Sequence, residues 1–255
     1  MDTDKILTPQ QAWQVGEDFK QKFLDECKLA ATDDEAFSIF RSMNRIHTVI
    51  ENSNEEWKNK AFDLLKGKFT SEEWHRFGSS DNYGTGSVLI TGIEKNYLTP
   101  TTVRYAYTLS LIVKLLGKPI NPTVIEIGAG YGGQCKIIHD ICHPVSLNYT
   151  IYDLPEVQLL QKRFLNNFGI NPIFKQLPDE IEGSDLIISW AGWAELDKET
   201  KIEYYNKVIS KCDRYFICSN YNFDEDWKIL SANDEQLREY KDELCQGIIY
   251  YSKYW

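Results

Sequence analysis

The stretch Thr123-Val124-Ile125-Glu126-Ile127-Gly128-Ala129-Gly130-Tyr131-Gly132-Gly133-Gln134 decides the fold. Val124, Ile125 and Ile127 are β-branched and apolar, which suits a central parallel strand covered on both faces. Glycines follow at 128, 130 and 132, where the absence of a Cβ lets backbone N–H groups approach a ligand. The stretch reads as a strand, a glycine turn and the start of a helix.

Downstream the alternation is regular. A helix is predicted from about 132 to 141, a strand from Leu147 to Tyr152, and a helix after Pro155. Strands follow at Ile173 to Lys175 and Asp185 to Ser189, then a helix over about 198–210 and a strand from Arg214 to Cys218. This pattern predicts an α/β, Rossmann-like, mostly parallel sheet. The tail predicts a helix near 233–244 and a strand from Gly247 to Tyr251 at the sheet edge.

Upstream the chain reads as helical. Thr8-Pro9 signals a first helix, with Ala12, Trp13, Phe19, Phe23 and Leu24 at helical spacing. A second follows Thr32-Asp33-Asp34-Glu35, with Phe37, Ile39, Phe40, Met43 and Ile46 inward. Ser53-Asn54-Glu55-Glu56 and Thr70-Ser71-Glu72-Glu73 match capping boxes. Gly78 to Ser87 is polar and glycine-rich, a loop length that usually serves function. A helix from about Pro100 to Leu116 leads into the opening strand. The division expected is a helical cap and loop over 1–98 and a cofactor-binding domain over 99–255.

The 255 residues carry 28 basic and 38 acidic side chains, a net charge of −10 that argues against a nucleic-acid partner. Six cysteines without C-x-x-C or zinc spacing fit a reducing cytoplasm. Neither a signal peptide nor a membrane span is expected, and no cluster resembles a metal site.

Gly128, Gly130 and Gly133 match the dinucleotide fingerprint G-x-G-x-x-G, so the turn alone admits NAD. Two acids favour S-adenosylmethionine instead. Glu126, two residues before the first glycine, can serve an amino-acid moiety but has no evident use beside a pyrophosphate. Asp153 ends the second strand, where a carboxylate can accept hydrogen bonds from both ribose hydroxyls. Ala129, Tyr131, Gln134 and Leu154 flank these groups, Ser189 and Trp190 end the fourth strand, and Gln176 and Leu177 stand where an adenine edge would lie.

Further runs carry a family resemblance. Tyr97-Leu98-Thr99-Pro100-Thr101-Thr102-Val103-Arg104-Tyr105-Ala106-Tyr107, Val124 to Ile141, Tyr152 to Val157 and Asp185 to Ser189 together resemble the sugar O-methyltransferases of bacterial surface-polysaccharide clusters. The resemblance spans about 97–219 and implies a class I methyltransferase fold. It also implies a sugar or sugar-derived acceptor, and the mixed acidic surface suggests a small or nucleotide-linked one. Where the family typically continues from the serine with Asn-Tyr-Ala-Phe-Ser-Glu-Leu, this chain has Trp190-Ala191-Gly192-Trp193-Ala194-Glu195-Leu196. The acidic and final leucine positions are kept, and the segment facing the methyl is altered.

A sugar hydroxyl is a poor nucleophile, so a general base within reach is expected. Glu195 is the first candidate and His75 the second; a plainer role for Glu195 is stabilising a helix start. Arg104 is a candidate partner for a carboxylate, and Tyr83, Tyr97, Tyr105 and Trp193 for the acceptor, with aromatic packing as the alternative. Asp224, Glu225 and Asp226 read as a solvated turn. The rivals to a methyltransferase are an NAD-dependent oxidoreductase and a non-catalytic partner module that keeps the fold.

Overall fold

The computed structural model describes residues 16–51, 55–84, 90–93, 96–117, 122–142, 148–179, 181, 183–190, 192–219, 223–232, 234–242, 244 and 247–253. The Thr8-Pro9, Ala12 and Trp13 signals, Ser53-Asn54 and the end of the glycine-rich loop lie outside these residues.

Among the described residues, seven strands form the main sheet: β3 (Thr123–Ile127), β4 (Asn148–Tyr152), β5 (Ile173–Lys175), β6 (Leu186–Trp190), β7 (Arg214–Ser219), β8 (Arg238–Lys241) and β9 (Ile248–Lys253). A separate antiparallel pair, β1 (Ile90–Ile93) and β2 (Asn96–Leu98), precedes them. The order is β5-β4-β3-β6-β7-β9-β8. Strands β3 to β7 pair in parallel, and β9 runs antiparallel to both β7 and β8. The Rossmann-like reading therefore holds. The chain doubles back between β5 and β6, so the topological switch point lies beyond the carboxyl ends of β3 and β6, where open α/β sheets place ligands.

Helices cover both faces. On one side Val124, Ile151, Ile188 and Phe216 meet α6 (Pro100–Leu116), α7 (Gly133–Cys142) and α8 (Pro155–Asn166). On the other, Ile125, Ile127, Ile187 and Ile217 meet α9 (Lys198–Lys207) and α10 (Phe223–Ser231). The period of two in β3 thus assigns Glu126 to the first face. Thr99 caps α6, accepting from the Thr102 N–H, and Pro100 supplies the fixed φ of a first turn.

The cap helices are α1 (Glu17–Thr32), α2 (Asp34–Ile39), α3 (Asn44–Ile50), α4 (Glu55–Leu65) and α5 (Ser71–Gly78). They pack on the same face: α1 lies along α8, α4 against α6 and α5 against α7. Thr70 and Glu73 form the expected capping box of α5. The single helix expected after Thr32 is broken by a 3₁₀ turn at Phe40–Ser42, which turns Ile39 out to solvent while Phe37, Phe40 and Ile46 stay buried.

The tail departs from expectation. The helix occupies Phe223–Ser231, and Arg238–Lys241 is a strand rather than the middle of a helix at 233–244. Asp224, Glu225 and Asp226 form the first helical turn, where acids meet the positive end of the dipole, rather than a solvated turn. Strand β9 lies inside the sheet and leaves β8 as the edge. The early glycine-rich loop likewise begins as a 3₁₀ segment, Ser79–Asn82, that carries a buried role described below.

Candidate active site

The turn after β3 has the conformation its glycines anticipate. Gly128, Gly130 and Gly132 all have positive φ (72°, 56° and 94°), a region unfavourable to side-chain-bearing residues. At Gly128 the constraint is also steric: a Cβ there would lie 2.9 Å from Cα of Gly192. The turn therefore meets the segment after β6 backbone to backbone. The Ser189 hydroxyl fixes the same junction, donating to the Ile127 carbonyl at 2.8 Å and accepting from the Trp193 N–H at 2.9 Å.

Asp153 is tied directly to the turn. Its Oδ2 accepts from the Ala129 N–H at 3.0 Å and its Oδ1 from the Leu154 N–H at 2.8 Å. Burial pushes this carboxyl up to about 6, against the lowering effect of the hydrogen bonds it accepts. Leu154 is half-buried beside it. Glu126 is 3% exposed, and its Oε2 accepts from the Tyr149 hydroxyl at 2.7 Å. Desolvation pushes Glu126 up to about 8, with the Tyr149 hydrogen bond opposing and the charge of Asp153 adding.

Past the turn, Gln134 is 1% exposed, and neither its Oε1 nor its Nε2 has a partner among the described residues. The Tyr131 hydroxyl is buried in the same condition. Buried polar groups are rarely left in this state, because each lost partner costs about 1–3 kcal/mol. The Tyr131 ring itself is held edge-on by Phe40 and Phe164, at 5.4 and 4.8 Å, with the Arg41 guanidinium 5.1 Å from its centre. The cap thus reaches the turn, and the Ile50 side chain would be 3.3 Å from a Cβ at Gly130.

The opposite wall is the 3₁₀ segment Gly192–Glu195. Glu195 is half-buried at its end and accepts no hydrogen bond among the described residues. Desolvation, then the charge of Asp153, pushes it up to about 8. Trp190 is half-buried and stacks on Phe216 at 6.3 Å.

The remaining candidates have other surroundings. Trp193 is fully buried, its indole N–H donating to Asp226 Oδ1 at 3.0 Å, so it fastens the wall from behind instead of lining an acceptor pocket. His75 is exposed on α5. Tyr83 packs among Phe37, Phe164 and Phe168, and the Tyr105 ring lies against Gly133 where a Cβ would be. Both rings thus make the aromatic packing contacts that are the alternative to acceptor stacking. Arg104 is buried and donates to the Ile50 carbonyl at 2.6 Å, which ends α3 over the turn. Gln176 is exposed and Leu177 half-buried beyond β5. The Tyr97 side chain and Ala191 lie outside the described residues.

Two buried networks went unread in the sequence. Arg41 donates from Nε to Glu51 at 2.6 Å, from Nη1 to Asp81 at 2.6 Å and from Nη2 to the Thr99 hydroxyl at 2.6 Å. Behind Glu195, Lys201 pairs with Asp226 at 2.8 Å, both fully buried, and the Ser219 hydroxyl donates to the same carboxylate at 2.5 Å. The acids at 224–226 could have suggested a helix start; nothing local marks Arg41.

No family model and no curated protein matches the chain. Solved structures do. A SAM-dependent methyltransferase from Aquifex aeolicus is 15% identical over 56% of this chain and 87% of its own, with a TM-score of 0.46. Magnesium protoporphyrin IX methyltransferase from Synechocystis PCC 6803 is 14% identical over 80% and 100%, with a TM-score of 0.47. The pyocyanin biosynthetic protein PhzM is 12% identical over 60% of this chain; the chain spans 56% of its length, with a TM-score of 0.48.

Proposed function

We propose that the chain is an S-adenosylmethionine-dependent O-methyltransferase acting on a sugar or sugar-derived precursor of a surface polysaccharide. The observation that carries the cofactor assignment is the lock between Asp153 and the glycine turn, with its hydrogen bond from Ala129. It holds a carboxylate at the ends of β3 and β4, the position suited to ribose hydroxyls. The unpartnered Gln134 amide and Tyr131 hydroxyl fit a polar ligand at the turn. The sheet supports the same choice over a dinucleotide: its order is not the six-stranded 3-2-1-4-5-6 arrangement, and β9 is reversed within it. The sugar acceptor is supported by the sequence resemblance over 97–219 alone.

When bound, the cofactor supplies a methyl group made electrophilic by its sulfonium. Asp153 would hold the ribose, and Gln134 the polar methionine end. Glu195 would take the proton of the acceptor hydroxyl. A carboxyl pushed up to about 8 is a stronger base than an ordinary one, but it acts only when ionised. Turnover should therefore rise with pH through about 8.

Titration calorimetry tests the cofactor. S-adenosylhomocysteine should bind, and Asp153→Ala should weaken it by about 1–3 kcal/mol. Binding of NAD with none of S-adenosylhomocysteine would overturn the assignment. For catalysis, sugars and nucleotide sugars are offered with the methyl donor and release of S-adenosylhomocysteine is followed. Glu195→Gln should abolish the rise with pH; full turnover in that variant would remove Glu195 as the base.

A further inference from the structure

Asp153 has one more partner. Gln161, fully buried on α8, donates from Nε2 both to the Gly130 carbonyl at 2.8 Å and to Asp153 Oδ2 at 2.7 Å. One amide thus touches the glycine turn and the acid at once. Its position among Leu160, Phe164 and Leu165 is otherwise apolar, and its Oε1 is buried without a partner among the described residues. Packing alone would favour an aliphatic side chain there.

We propose that Gln161 is a positioning residue for cofactor binding: it ties the Asp153 carboxylate to the turn and favours its ionised, hydrogen-bond-accepting form. This rests on the cofactor assignment above. The sign follows from the donors. Ionised Asp153 accepts from Gln161, Ala129 and Leu154, so losing one donor favours the protonated acid. The protonated acid cannot serve two ribose hydroxyls equally well. The other titratable groups that the charge of Asp153 reaches are Glu126 on β3, Glu195 after β6, Cys27 on α1 and Tyr204 on α9. Burial pushes the first two to about 8 and the last two higher, above the range in which Asp153 titrates.

The test is S-adenosylhomocysteine affinity by calorimetry from pH 5 to 9. The wild-type protein should lose affinity as pH falls through about 6, and Asp153→Asn should lack this limb. Gln161→Met, which keeps length and removes the donor, should move the midpoint up by about one pH unit. Gln161→Glu should move it in the same direction and gives a second variant if the first folds poorly. A purely structural role would lower the melting temperature and leave the midpoint in place, which would overturn the proposal. Carbon-13 NMR of the Asp153 carboxyl, assigned by its loss in Asp153→Asn, reads the same shift without ligand. Failure of the wild-type protein to bind at any pH would instead overturn the cofactor assignment, and the NMR titration would still decide the role of Gln161.

Discussion

Each wall of the candidate site is anchored by a buried cation, but the two anchors differ in kind. Arg41 serves the glycine turn, and its planar fork reaches Glu51, Asp81 and Thr99 together while its face lies over Tyr131. Lys201 serves the Glu195 wall as a point charge, paired with buried Asp226 and with the partly exposed Glu225. The arginine joins four separate segments of the cap and turn; the lysine joins two neighbouring helices. The difference is one of geometry: the planar fork aims separate N–H groups at Glu51, Asp81 and Thr99, whereas the Lys201 ammonium meets only the adjacent acids Glu225 and Asp226.

The comparison can be broken from either side. Arg41→Met leaves two buried carboxylates without a cation and should cost about 3–5 kcal/mol, read from urea unfolding. Lys201→Met leaves one buried carboxylate, still held by Trp193 and Ser219, and should cost about 3 kcal/mol. Equal losses would show that the number of stranded acids does not decide the outcome. The peripheral hydroxyls sharpen the contrast. Thr101→Val removes a donor to Glu51, and Ser219→Ala a donor to Asp226. Each should cost about 1–2 kcal/mol, with Thr101→Val the smaller because Arg41 still binds both Glu51 oxygens. A much larger loss on either side would mean that the hydroxyl, not the cation, organises that network.

The same contrast explains what could be read in the sequence. The glycine turn, β3 and β5 were legible because their determinants are local: β-branched runs and glycines act on the backbone where they stand. Asp153 was legible because it follows a strand directly. Arg41 was not, since its partners lie 10, 40 and 58 residues away and each looks ordinary in isolation. Gln161 was hidden inside an amphipathic helix pattern. Trp193 reads as pocket wall because it follows a strand end, and the acid that receives its N–H comes 33 residues later, beyond any local pattern. The tail failed for a related reason: Arg238–Lys241 is largely exposed and carries too little apolar alternation to announce a strand.

The reversed strand β9 also imposes an order of assembly. Because it separates β7 from β8, neither can complete its hydrogen bonding until residues 248–253 have been synthesised and have left the ribosome. Until then β7 presents a bare, apolar strand edge, the surface most prone to pairing with another chain. In a chain emerging from its N-terminus, that edge stays open until β9 inserts between β7 and β8.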